Sequence, residues 1–524
     1  MHRPHSPVKQ FSAKLDGLAA FLESRPWAFA PAALVLYAFV LKTERLKPLW
    51  HDELYTYYIA QAPTFARMIR WTQSLDLNPP LYYILARATF HLVKPGPLAV
   101  RLPSIVGYLV AIVCVFLFVR RRTTPLHGWL GALILLGSNF GPYSFEARPY
   151  ALMFGFLGIA AIGWQSAIEE GRPGRGLALL LLFIGAAGML LSHVLALIAY
   201  GAFFFAECIR FALRRKPDWI LWAVLVSPLA FCASYLPLMQ NHGGGAYPIP
   251  FQASPLKVLG TYSSIWMDVA PLLALAMVLI VFFRAYAPEA TPAHMSTLEI
   301  PEISFAIGLV CVPIEVGILF MRSHSAYFPR YGMAALFGAA ILVPHFMARW
   351  KHNSPRAALT CVIVFIFGVI TPGWLVFDAN KYLNPSGTHL LPATALTTPY
   401  RQVEPGLPFV DASGLTFLEM NDRETPAFLS RVYYLTDEQA AIQYAHATIF
   451  EGFTNLKHDF PIRGNVTPYR QFVQQHRRFL VYGTYSYPED WLLRKLLADG
   501  ATLKFLGDFP SIYDNRELYE VTVN

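Results

Sequence analysis

Apolar stretches of 15 to 21 residues, separated by short polar interruptions, fill the chain from residue 27 to residue 377. A backbone crossing about 30 Å of hydrocarbon must satisfy its own hydrogen bonds, so such stretches predict transmembrane helices. Eleven spans fit: 27–43, 99–119, 126–143, 149–168, 176–192, 194–213, 219–237, 270–284, 303–321, 332–348 and 357–377. The pair covering 176–213 shares a very tight turn, and 270–284 is short. Residues 51–75 and 79–93 mix aromatic, charged and polar side chains at helical spacing, which predicts helices lying in the membrane interface. After residue 377 the texture changes. Short β-rich runs at 407–411, 431–435 and 478–483 alternate with helical stretches at 437–450 and 489–498, which predicts a small α/β domain. Thr467 before Pro468 reads as a helix start, with Thr as N-cap and Pro at the first position.

The expected fold class is therefore a polytopic α-helical membrane protein with about 11 transmembrane helices and a C-terminal α/β domain outside the membrane. Its parts are a cytoplasmic segment 1–26, a transmembrane domain 27–377 with a first outer loop 44–98, and the tail 378–524. Composition agrees: 55% of residues are hydrophobic, mean hydropathy is +0.40, and only 14% are charged against about a quarter in soluble domains. A soluble globular enzyme is excluded.

Charge is divided unevenly. Of the 33 acidic residues 17 follow residue 377, so the apolar part carries a large positive excess while the tail is acidic, within a net charge of +9. The basic clusters sit at the ends of apolar stretches: the N-terminal segment, 120–122, Arg172 with Arg175, 210–216, Arg284 and 349–356. That placement fits loops held against anionic lipid and makes those loops cytoplasmic, not nucleic-acid-binding. The first apolar run ends in Leu41-Lys42-Thr43-Glu44 without a small-residue cleavage site, so it reads as an uncleaved span. All five cysteines lie in apolar segments, so no disulfide framework or zinc site is expected.

The candidate chemistry then falls on the opposite membrane face. Trp50-His51-Asp52-Glu53 puts two carboxylates where the chain leaves the first span. A carboxylate beside low-dielectric lipid is a good general base, and Asp52 and Glu53 are the candidates; either could instead cap the helix that follows. Asn78-Pro79-Pro80-Leu81-Tyr82-Tyr83 opens the second interfacial segment, with prolines to start a helix and tyrosines suited to the headgroup region. In Phe145-Glu146-Ala147-Arg148-Pro149-Tyr150 the acid and the arginine either neutralise one another or bind. As a binding pair, Arg148 would grip a phosphate with its fork, and Glu146 would hold a metal, a sugar hydroxyl or Arg148 itself. His193, Arg330 and Tyr331 add polar groups at outer helix ends, where a hydrogen-bonded structural His and a snorkelling Arg are the plain alternatives. The tail has no Gly-rich phosphate loop, no G-x-S-x-G elbow and no metal-spaced His cluster.

Asp52-Glu53, Asn78-Pro79-Pro80-Leu81-Tyr82-Tyr83, Arg101-Leu102-Pro103-Ser104 and Glu146-Ala147-Arg148-Pro149-Tyr150 together resemble the GT-C membrane glycosyltransferases. The nearest branch is glycosyltransferase family 39, with its protein O-mannosyltransferases and lipid A aminoarabinose transferases, over roughly residues 27–377. The resemblance implies transfer of a sugar from a polyprenyl-phosphate carrier to an extracytoplasmic acceptor (glycan, lipid or protein), usually with inversion, in the bacterial cytoplasmic membrane as part of cell-envelope glycosylation. It implies Asp52 as base, Glu146 at the family's second acidic position and Arg148 as phosphate ligand. His51, Asn78, Tyr82, Tyr83, His193, Arg330 and Tyr331 become candidate substrate contacts. No cofactor is required; a divalent metal held by Asp52 or Glu146 is an option. Where mannosyltransferases commonly carry His before the two prolines this chain has Asn78, a departure that bears on donor or acceptor class. The tail also lacks the repeated soluble module of the eukaryotic mannosyltransferases.

The competing classes are a transporter or flippase of lipid-linked substrates, a ligase or polymerase using a diphosphate-linked glycan, and a receptor or assembly protein working through its tail. A transporter predicts paired broken helices and mid-span charges, whereas here the charges gather at outer helix ends and no two-half repeat is present. Reporter fusions test the orientation: a fusion at the N-terminus should report the cytoplasm and one after residue 524 the outside. A tail reporter active only in the cytoplasm would remove the proposed active face.

Overall fold

The computed structural model describes residues 7–28, 30–31, 34, 37–38, 48–76, 78–138, 140–169, 173–236, 252–286, 298–350, 354–377, 399–445, 457, 460–486, 489–510 and 515–523. The chain folds as two compact units. One holds residues 1–41, 72–242 and 251–374; the other holds 42–71, 243–250 and 375–524.

The first unit is helical. Among the described residues, six helices are long and apolar enough to cross a membrane: Pro97–Arg122, Pro149–Ala167, Arg175–Ser192, Ala196–Arg214, Pro255–Arg284 and Ile300–Arg322. Shorter apolar helices include Pro125–Leu136, Ala334–Trp350 and Pro355–Gly368. The expected span 27–43 lies largely outside the described residues. Sequence signals account for many of the starts, since Pro occupies the first turn of Pro97–Arg122, Pro125–Leu136 and Pro149–Ala167, where its missing N–H costs nothing. Asp218 caps Trp219–Val226 by accepting from Leu221 N at 3.3 Å.

Two expectations need correction. The short span 270–284 is the second half of a helix Pro255–Tyr286, so the outer loop expected to run to 269 ends some fifteen residues earlier. Lys257, Thr261, Ser263 and Ser264 had diluted the apolar signal over its first half. The run 126–143 is also not one helix: Pro125–Leu136 stops at Gly137, and a 3-10 turn Gly141–Phe145 follows.

Small residues let these helices touch backbone to backbone. A Cβ on Gly107 would lie 2.6 Å from the Ala151 carbonyl oxygen, and one on Gly155 would lie 2.5 Å from that of Gly107. Close approach of this kind replaces the hydrophobic drive that lipid cannot supply. Polar groups within the unit meet partners near helix ends. Arg122 Nε donates to Glu302 at 2.9 and 3.1 Å, and Gln165 Nε2 donates to the same carboxylate at 2.8 Å. Glu207 takes Trp164 Nε1 at 2.8 Å and Arg210 Nε at 2.9 Å, and Arg210 continues to Asp218 at 3.1 Å.

The second unit is built on a six-stranded sheet, with β1 Phe409–Asp411, β2 Val432–Thr436, β3 Asn465–Pro468, β4 Arg478–Gly483, β5 Thr502–Pro510 and β6 Asn515–Thr522. Its order is β3-β2-β1-β4-β6-β5: the first four strands run parallel, while β5 and β6 form an antiparallel pair on the β4 side. Val410, Phe472, Phe479, Val481, Trp491 and Leu492 fill the core. The helix Asp490–Ala498 matches expectation, whereas Thr467 lies in strand β3 and Pro468 is the residue before helix Tyr469–Gln475, with no side-chain cap. The stretch 437–450 is helical to residue 445; the remainder lies outside the described residues.

The segment expected as interfacial helices is helical but broken, into His51–Ala60, Phe65–Trp71, a π-helical turn Thr72–Asp76 and Leu81–Leu92. Its first part, to Trp71, belongs to the unit of the sheet. There Phe460 packs against Tyr58 at 5.2 Å, Trp71 at 5.3 Å and Tyr55 at 6.1 Å between ring centroids. Aromatic packing of this geometry fixes the segment on the tail.

The glycine crossing yields a stability test. Gly155→Ala should destabilise the protein by about 1–3 kcal/mol through overpacking, read as a lower thermal midpoint in detergent. Gly201→Ala, where an added Cβ meets nothing within 4 Å, should be neutral or slightly stabilising.

Candidate active site

The sequence candidates divide between the two units. In the sheet-containing unit, the helix His51–Ala60 begins with its first turn carrying Asp52 and Glu53. Glu53 is fully buried and its Oε2 accepts from Trp50 N at 3.4 Å, so this carboxylate does the work of holding the helix start. Asp52 differs. Its side chain is 25% exposed and its Oδ1 lies 3.7 Å from His51 Nε2. The two adjacent acids thus take separate surroundings. His51 in turn meets Glu419, whose Oε1 accepts from His51 N at 3.1 Å and lies 3.3 Å from Nδ1.

The other candidates lie in the helical unit. Arg148 is buried and donates from Nη1 to both oxygens of Asp76, at 2.9 and 2.7 Å. Tyr83 OH donates to Asp76 as well, and Asn78 Nδ2 donates to the Asp76 carbonyl at 3.0 Å. Burial first, then the Asp76 charge, pushes the Tyr83 phenol well above its ordinary range, which keeps its proton available for that bond. Tyr82 OH reaches Val100 O at 3.0 Å and Ser104 Oγ at 2.8 Å; Ser104 Oγ donates to the carbonyls of Glu146 at 2.5 Å and Arg148 at 3.0 Å. Arg148 N closes the turn on Glu146 O at 2.7 Å. One chain of contacts from Tyr82 through Ser104 therefore sets the backbone from which Glu146 and Arg148 project.

His193 sits in the tight turn between Arg175–Ser192 and Ala196–Arg214, with its ring 4.8 Å from that of Tyr150. Its Nδ1 accepts from Leu195 N at 3.1 Å, which puts the proton of the neutral ring on Nε2. Burial first, then the charges of Arg148 and Arg330, pushes His193 down to about 3. Arg330 lies 4.6 Å from the ring centroid of Phe328 and 5.6 Å from that of Tyr331, on the 3-10 turn Pro329–Gly332. Tyr331 itself packs on Phe320 at 5.6 Å.

Thus Asn78, Tyr82, Tyr83, Glu146, Arg148, His193 and Arg330 belong to one unit, with Tyr331 beside Arg330, and His51, Asp52 and Glu53 to the other. Two site residues were missed. Asp76 had a signal, an acid just before Asn78-Pro79-Pro80, while Glu419 had none, being 368 positions from its partner. Among the described residues no group of three His, Cys, Asp or Glu side chains is placed to hold a metal ion.

Comparison with known proteins follows the same lines. Residues 77–236 match the model of the dolichyl-phosphate-mannose-protein mannosyltransferase family, and this stretch contains Asn78, Tyr82, Tyr83, Glu146, Arg148 and His193. No curated protein sequence matches the chain. Among solved structures, ArnT from Cupriavidus metallidurans, bound to undecaprenyl phosphate, is similar over 94% of this chain and 97% of its own, with a TM-score of 0.53 and 12% identity. The apo state of the same protein gives the same values. The chain thus shares the fold of that protein, a multi-pass helical membrane unit with a small C-terminal sheet unit.

Proposed function

We propose that this protein is a membrane glycosyltransferase that takes a sugar from a polyprenyl-phosphate carrier and passes it, with inversion, to an extracytoplasmic acceptor. The observation that carries the reading is the buried Arg148, held by both oxygens of Asp76 on a turn that Ser104 fixes at Glu146 and Arg148, with Arg330 and the buried His193 ring in the same unit. Such a site offers fixed positive charge and N–H donors for the oxygens of a phosphate. The fold is that of a protein solved with undecaprenyl phosphate, and the matched family model is one of dolichyl-phosphate-mannose users; both carriers are lipid monophosphates. A lipid-linked phosphate stays at headgroup depth, where helix ends such as these would lie.

The acceptor hydroxyl or amine attacks the anomeric carbon while Asp52 takes its proton. The bond from the anomeric carbon to the phosphate oxygen breaks, and its electron pair stays on the carrier phosphate. Arg148, supported by Arg330 and the His193 Nε2–H, takes up that growing negative charge. Asp76 keeps Arg148 oriented between turnovers, and Glu146 is assigned to the sugar. On this reading the enzyme sits in the bacterial cytoplasmic membrane with its N-terminus in the cytoplasm and its tail outside.

Three variants test the assignment with undecaprenyl-phosphate sugars as donors, following release of the free carrier phosphate. Asp52→Asn should retain folding and carrier binding but lose transfer by about 100- to 10,000-fold, because an amide cannot act as base. A helix-capping role alone would leave turnover near normal. Arg148→Ala should lower kcat/KM for the carrier by about 10- to 100-fold, the worth of one hydrogen bond to a charged group. Arg148→Lys should recover only part of it, since an ammonium lacks the planar fork. Full activity in both Arg148 variants would reduce Arg148 to a structural partner of Asp76.

A further inference from the structure

We infer that Glu419, on the C-terminal part of the chain, is a positioning residue for Asp52, an inference that rests on Asp52 being the base. The residues before Asp52 are gripped by the helix Gly414–Arg423. Its Glu419 and Arg423 form an i,i+4 pair 3.4 Å apart, with side chains only 5% and 15% exposed. Arg423 Nη2 donates to Leu49 O at 2.9 Å, and Glu419 Oε1 accepts from His51 N at 3.1 Å. With Trp50 N held by Glu53, a backbone group in each of three consecutive residues has a fixed partner, two of them from this helix. Carboxylates at Glu53 and Glu419 also place negative charge where the helix His51–Ala60 begins and its amide groups point outward.

Glu419 reaches the imidazole as well as the backbone. Its Oε1 lies 3.3 Å from His51 Nδ1, so Nδ1 carries the proton toward Glu419 and Nε2 of the neutral ring is left with its lone pair. Nε2 faces Asp52 Oδ1 at 3.7 Å. When Asp52 takes the acceptor's proton, the new O–H has this lone pair as a neighbour. Once that 3.7 Å separation closes to hydrogen-bond distance, the proton can move from Asp52 Oδ1 to His51 Nε2, leaving Asp52 ionised again and an imidazolium between two carboxylates. A buried acid 368 positions away in sequence thereby selects the tautomer that makes His51 useful to Asp52. Glu419 does this without touching substrate. Its loss should therefore act on the rate of the chemical step and leave donor binding alone.

The test uses the full-length protein in detergent or nanodiscs, with undecaprenyl-phosphate sugar as donor. Glu419→Gln is isosteric and its amide oxygen can still accept from His51 N, but it loses the charge that favours Nδ1–H. The expected result is a kcat lower by on the order of 10- to 100-fold, with unchanged donor KM and unchanged thermal midpoint. His51→Asn, which keeps a donor for Glu419 but has no second ring nitrogen, should show the same split and serves if Glu419→Gln folds poorly. Wild-type kcat in either folded variant would overturn the inference, as would a loss shared by KM or matched by a lower thermal midpoint. The underlying reading fails differently: near-normal turnover by Asp52→Asn would remove the base itself, whereas an inactive Asp52→Asn beside a fully active Glu419→Gln would remove only the role of Glu419.

Discussion

Hydrocarbon offers no partner to a peptide group or a charge, and most of the helical unit follows from that one constraint. The backbone closes its own hydrogen bonds in long helices, and with no water to drive apolar faces together the helices associate where glycine permits contact, as at Gly107 and Gly155. Several charges within the unit have partners. Glu302 has Arg122 and Gln165, Glu207 has Trp164 and Arg210, and Asp76 has Arg148 and Tyr83. The last of these differs in kind. A buried ion pair is a poor source of stability, because desolvating both partners offsets much of their attraction. The Arg148 charge also bears on the buried His193 ring, and the phosphate contact proposed for Arg148 gives this pair a use beyond stability.

The hydropathy pattern made the helical architecture legible and blurred where it met polar residues. The long helix Pro255–Tyr286 was read at half its length because Lys257, Thr261, Ser263 and Ser264 fall in its first half, where neighbours such as Tyr327, which bonds Thr261 at 2.9 Å, satisfy them. In the tail, strands β1, β2 and β4 stood out as buried runs, whereas β5 and β6 did not: Lys504, Asp508, Arg516, Glu517 and Glu520 interrupt them, as expected of strands toward a sheet edge. The site divides similarly. Arg148, Tyr82, Tyr83 and Asp52 stood out by residue type and position, but their partners did not. Asp76 occupies a π-helical turn that no simple periodicity announces, and the link from His51 to Glu419 is a tertiary fact without a local trace.

The tail domain emerges as more than an appendage. Its unit includes the chain segment that bears Asp52, packed through Phe460 and tied through Glu419 and Arg423. A short segment carrying the proposed base would otherwise have to be ordered by its own few residues, against a backbone cost of about 1–2 kcal/mol for each one fixed. Placing that segment on a folded sheet unit supplies the order from elsewhere and leaves Asp52 partly exposed.

The 368 residues between His51 and Glu419 also set an order of events during synthesis. At about 5–20 residues per second, roughly 20 to 70 s pass between emergence of the two partners from the ribosome. Throughout that interval the Leu49 carbonyl and the His51 N–H and imidazole lack the groups that hold them in the finished protein. A nascent chain, or one cut short before the tail, would hold the helices that bind lipid but not the grip that aligns the carboxylate. Assembly of the segment around His51 thereby waits for the end of the message.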